Sequence, residues 1–76
     1  MQMHVVIGHI TLIQEQRFRL VSGNGDGFIF TLSRKSSARL SDLQQFLKSH
    51  ATIRVEYSGA PNTRSGIANA VTRLAA

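Results

Sequence analysis

At 76 residues the chain has room for one domain and one core, and without cysteine it can use neither disulfides nor thiolate metal sites. No apolar run approaches the roughly 20 residues of a membrane helix and no signal-peptide pattern opens the chain, so the composition implies a soluble, cytoplasmic protein. Nine Lys and Arg against four Asp and Glu leave a net charge of +5, with Arg outnumbering Lys seven to two. Arginine's flat, bidentate fork suits phosphate, so this balance leans toward nucleic acid.

His4 to Ile13 is rich in β-branched residues and apolar on both parities, with Val6, Ile10 and Leu12 on one and Val5, Ile7 and Ile13 on the other. Such a strand is buried on both faces, or bends so that its halves serve different sheets. Gly8 sits where a bend or bulge would go. After the polar break Gln14-Glu15-Gln16, Phe18 and Leu20 share one face while Arg17 and Arg19 share the other, the alternation of a half-exposed strand. Gly23-Asn24-Gly25-Asp26-Gly27 supplies the positive φ angles that a tight hairpin requires. Phe28, Phe30 and Leu32 then point one way and Ile29, Thr31 and Ser33 the other.

The period changes at Leu40, Leu43, Phe46 and Leu47, which form one helical stripe. Ser41 and Gln44 have the spacing of a capping box, with Ser36 or Ser37 as alternative caps one turn earlier. Ile53, Val55 and Tyr57 alternate with Thr52, Arg54 and Glu56 in a fourth strand, and Ser58-Gly59-Ala60-Pro61-Asn62 has the composition of a loop. Ile67 to Leu74 closes the chain as a fifth strand, with a short helix as the alternative its alanines allow. The pattern predicts strands over 4–13, 17–22, 28–33, 52–58 and 67–73 and one helix over 40–49. Phe18, Phe28, Phe30, Leu43 and Val55 form the expected core, with the Tyr57 ring beside them.

Three strands, a helix and two strands make a mainly β chain, best closed into a five-stranded barrel that leaves few free edges. Over residues 1–76, as a single domain, this order resembles the oligonucleotide/oligosaccharide-binding (OB) fold, in which a helix between strands three and four plugs one end of the barrel. A small SH3-like barrel is the alternative. Gly25-Asp26-Gly27-Phe28-Ile29-Phe30 also looks like the Gly-Phe-Gly-Phe-Ile stretch of cold-shock domains, whose rings stack on bases. Here Asp26 stands in place of an aromatic, and no second aromatic motif follows.

The OB resemblance implies a ligand on the outer face of strands two and three, extended by the loop between strands four and five. Arg17 and Arg19 lie on that face, about 7 Å apart by strand rise, a spacing that matches successive phosphates of an extended single strand. Ile29 and Thr31 line the same patch across the hairpin. Arg34 and Lys35, with Arg39, form a second basic cluster at the rim, and Arg64 lies in the loop that extends the patch. The competing account is that alternating arginines are simply how a half-buried strand meets water.

Nothing in the sequence supports catalysis, a metal or a cofactor. His4 and His9 fall on opposite strand faces. Glu15 and Glu56 have no sequence partner for acid–base work. The glycines around Asp26 sit in a strand–turn–strand context that suits no phosphate loop. The expected function is therefore a binding module for single-stranded DNA or RNA. The alternative is an assembly module that forms a homodimer or meets a protein partner through Ile29, Val21 and the last strand.

Overall fold

The computed structural model describes residues 2–59 and 64–74. In chain order the elements are β1 (Gln2–Gln14), β2 (Arg17–Ser22), β3 (Gly27–Leu32), α1 (Leu40–Ser49), β4 (Ile53–Gly59) and β5 (Ser65–Arg73). The protein is mainly β, with one helix and five strands in a closed, barrel-like ring of order β1-β2-β3-β5-β4. All neighbouring strands are antiparallel except β3 and β5, which run parallel. No helix among the described residues is long and apolar enough to cross a membrane.

The ring closes because β1 serves two partners in succession. Its first half, Gln2 to Gly8, pairs with β4, and its second half, Gly8 to Gln14, pairs with β2. Gly8 belongs to both registers. A Cβ built there would fall on the Val21 carbonyl oxygen, 2.7 Å from the Val21 carbonyl carbon and 2.9 Å from Ser22 Cα, so only glycine lets β2 approach at the handover. The irregularity that accompanies the bend lies further along, between Ile10 and Leu12. Beyond it the parity reverses: Ile10 is buried, Leu12 faces out, and Ile13 packs on the core.

Phe18, Leu20, Phe30, Leu43, Ile53 and Val55 are the largest fully buried side chains, and Tyr57, Ala68 and Val71 join them. Phe30 organises the aromatic part of this core, with ring centroids 4.7 Å from Tyr57, 5.6 Å from Phe18 and 5.8 Å from Phe28. Phe28 itself, near the hairpin end of β3, is half-buried rather than enclosed. Leu43 enters the core from α1, while Leu40, Phe46 and Leu47 pack against it.

The helix is capped differently from the Ser41–Gln44 expectation. Arg39 takes the extended cap conformation (φ −106°, ψ 170°), and its N–H donates to Asp42 Oδ2 at 2.9 Å. A guanidinium carries no acceptor to return the bond, so Asp42 alone does the side-chain capping. Ser36 Oγ accepts the Ala38 N–H at 3.1 Å and shapes the approach to the helix. At the other end His50 adopts the left-handed conformation (φ 53°), while its N–H donates to Leu47 and the Ala51 N–H donates to Phe46. This is the six-to-one pattern that closes many helices, with His where glycine is usual.

The hairpin between β2 and β3 turns at Gly25 (φ 91°), where the Gly25 N–H donates to the Ser22 carbonyl and the Ser22 N–H to the Asp26 carbonyl, both at 2.9 Å. The strands flanking the last loop run further than their composition implies: Ser58 and Gly59 still pair with β1, and Ser65 opens β5 beside Ile29. The expected loop positions 60–63 lie outside the described residues.

Candidate functional site

Strand parity alone puts two arginines on the outside of β2, because Phe18 and Leu20 are drawn into the core between and beside them. The registers then fix what surrounds each one. Arg17 lies between Gln14 of β1 and Thr31 of β3, and beyond Thr31 comes Ile67 of β5. Arg19 lies between Leu12 and Ile29, and beyond Ile29 comes Ser65. The outer face of four strands therefore carries two parallel rows, one with Arg19 between exposed Leu12 and Ile29, the other with Arg17 between Gln14 and Thr31 and with Ile67 at its end.

Leu12, Gln14, Arg17, Phe18, Arg19 and Ile29 line a shallow depression of about 280 Å³ on this face. Leu12, Ile29 and Ile67 are each about half exposed, at 50%, 45% and 45%. Apolar surface this open between cations is costly to leave in water, and it suits a ligand that is itself part anionic and part apolar.

At the hairpin end, Arg64 leads into β5 beside Ile29, whose N–H donates to the Arg64 carbonyl at 2.9 Å. Its guanidinium pairs with Asp26 at 3.2 Å, a contact between exposed groups. Arg19 reaches toward the same corner: its guanidinium nitrogen would be 3.1 Å from a Cβ on Gly27, so the bare glycine gives it room to lie flat there. At the opposite end of β3 a second depression of about 490 Å³ opens, lined in part by Gln16, Leu32, Ser36, Arg34 and Arg39. The Leu32 N–H donates to the Gln16 carbonyl at 2.7 Å, which ties this rim to the turn before Arg17.

The candidate residues thus form a line rather than a cluster. Arg64, Arg19 and Arg17 follow one another along β2 and β3, and Arg34 and Arg39 continue the line into the second depression. Ile29 and Thr31 lie within it, both exposed. Lys35 is exposed beyond Arg34, with its N–H on Ser33 Oγ at 3.1 Å, and does not line either depression. Val21, considered for a protein-contact surface, is half-buried.

Among the described residues, ion pairs engage Arg64 with Asp26 and Arg54 with Glu56; the guanidiniums of Arg17, Arg19, Arg34 and Arg39 make no ion pair, nor does that of Arg73 at the end of β5. Sequence reasoning missed Leu12, Gln14, Gln16 and Ile67. Leu12 was hidden by the parity reversal, Gln14 and Ile67 by strand pairings that parity does not reveal, and Gln16 by its place in a turn, where its carbonyl takes the Leu32 N–H.

All five Phe and Tyr residues turn toward the core: Phe18, Phe30 and Tyr57 are buried, and Phe28 and Phe46 are half-buried against them. The Phe28-Ile29-Phe30 stretch therefore presents Ile29, not a ring, to the outside. Comparison with models of known protein families, with curated proteins and with solved structures gives no significant match.

Proposed function

We propose that this chain is a small OB-type binding module, without catalytic activity, that holds single-stranded DNA or RNA by its backbone along β2 and β3. One observation carries the reading: Arg17 and Arg19 stand side by side on the outer face of β2, in no ion pair and with exposed Leu12 and Ile29 beside Arg19, while Arg34 and Arg39 line the adjoining rim. The strand order and the ten-residue helix between β3 and β4 support the OB comparison over an SH3-like barrel.

The chemistry follows from the residue types. Arg17 and Arg19 hold adjacent phosphates, Arg34 and Arg39 receive the strand at one rim, and Arg64 and Lys35 add charge at its margins. With the rings turned inward, bases rest on Leu12, Ile29, Thr31 and Ile67 instead of stacking on aromatics. Binding is then phosphate-led and tolerant of base sequence. A cysteine-free chain suits the reducing cytoplasm, where we place this activity.

Fluorescence anisotropy with labelled 12-mers of mixed sequence at low salt tests the proposal. The parent should bind DNA or RNA with little regard to sequence, and the Arg17→Ala/Arg19→Ala variant should lose most of that affinity while melting as the parent does. Absence of binding by the parent would favour the second reading, a protein-interaction module that uses the exposed Ile29 side chain.

A further inference from the structure

We propose that the outer face of β1 and β4 is a self-association surface that takes a second copy of this chain. The first half of β1 turns Met3, Val5 and Ile7 outward at alternate positions, and they remain 57%, 50% and 46% exposed. Three large apolar side chains in one unbroken row on a strand form a stripe rather than scattered surface carbon. Asn69 donates to Met3 Sδ at 3.5 Å and to Ser58 Oγ at 2.7 Å, which holds the methionine against the sheet. The row is part of the surface before any partner arrives, so little ordering is needed to cover it.

The neighbours on β4 say what covers it. Ile7 stands opposite Arg54 and Val5 opposite Glu56, and the two charged groups pair with each other at 2.5 Å. This arrangement is self-complementary. A two-fold axis across the strands at the level of the inward-facing Val6–Val55 pair lays β1 antiparallel on β1 and β4 antiparallel on β4. Val5 of one copy then meets Ile7 of the other, and Arg54 of one meets Glu56 of the other. Each contact is made twice, as an isologous interface demands. A partner of unrelated sequence would have to supply both the apolar stripe and the opposite charge order; a second copy has them already.

This surface is separate from the proposed nucleic-acid face. Met3, Val5 and Ile7 lie on the half of β1 that pairs with β4, whereas Leu12 and Gln14 of the nucleic-acid face lie past Gly8, on the half that pairs with β2. A dimer formed on that half leaves Arg17 and Arg19 uncovered in both copies.

Sedimentation equilibrium between about 10 µM and 1 mM, the range of weak homodimers, tests the inference on the full chain. The parent should move from the mass of one chain toward that of two as concentration rises. Val5→Glu should hold it at one, and Val5→Thr, which keeps the strand-forming shape, should weaken association at least tenfold. Arg54→Glu should weaken it by setting Glu against Glu, and adding Glu56→Arg should restore it. Circular dichroism checks that each variant is folded. A parent that stays at one chain's mass throughout overturns the inference. So does a dimer that survives Val5→Glu and dissociates only on Arg17→Ala/Arg19→Ala.

Discussion

Replacing Gly8 with alanine adds a single methyl group, yet it strikes the point on which ring closure depends. The methyl carbon would fall on the Val21 carbonyl oxygen and lie 2.7 Å from its carbon and 2.9 Å from Ser22 Cα, all backbone atoms held in the β1–β2 ladder. No side chain is available to swing aside, so either β2 retreats or β1 bends away from β4. Overpacking of this kind costs about 1–3 kcal/mol where side chains can adjust, and the upper end applies against backbone. A domain this small holds only ~3–5 kcal/mol from its core, so most of its stability is at stake. At roughly 4–8 °C per kcal/mol, a 3 kcal/mol loss lowers the melting temperature by about 12–24 °C. Circular dichroism melting and urea titration read this directly. Gly23→Ala is the control: a Cβ there meets nothing within 4 Å, and that variant should melt at or above the parent. A Gly8→Ala melting point matching the parent's would refute the handover as a close backbone approach.

Two further outcomes follow from particular residues. His50 pays for its left-handed conformation at the end of α1, so His50→Gly should stabilise the fold by about 0.5–1 kcal/mol, measurable in urea. Asp26 is the carboxylate that competes for Arg64 at the hairpin end of the cationic line. Asp26→Asn should therefore raise oligonucleotide affinity about two- to fivefold in anisotropy, the scale of an exposed ion pair, and unchanged or weaker binding would place the ligand elsewhere.

Much of the fold is legible in the sequence because strand parity is a local property. Phe18 and Leu20 alternating with Arg17 and Arg19, and Phe30 and Leu32 alternating with Ile29 and Thr31, declare their inner and outer faces without any knowledge of partners. The same rule found Arg17 and Arg19, whose exposure follows from the burial of their neighbours. It fails along β1, where both parities are equally apolar. There only the pairing partners decide that His4 and Val6 turn inward while Met3, Val5 and Ile7 face out. The irregularity between Ile10 and Leu12 then reverses the rule, which is why Leu12 belongs to the candidate site and was not seen there. Helix capping went to Asp42 rather than Ser41 because the chain enters α1 at Arg39, a consequence of where β3 ends. The parallel pairing of β3 with β5 brings Ile67 beside Thr31 and Arg64 beside Ile29, contacts across more than thirty positions that no local pattern encodes.

If the β2–β3 face neutralises phosphates, oligonucleotide affinity must fall steeply with salt. Suppose Arg17, Arg19 and one rim cation neutralise three phosphates of a single strand. Counterion release then gives a slope of about −0.7 per contact, so log K should fall by about 2 per decade of salt. Between roughly 50 and 200 mM salt the parent should weaken about 20-fold, and the Arg17→Ala/Arg19→Ala variant should retain a slope near −0.7. A parent slope near zero, or one that the double substitution leaves unchanged, would mean that Arg17 and Arg19 hold no phosphate.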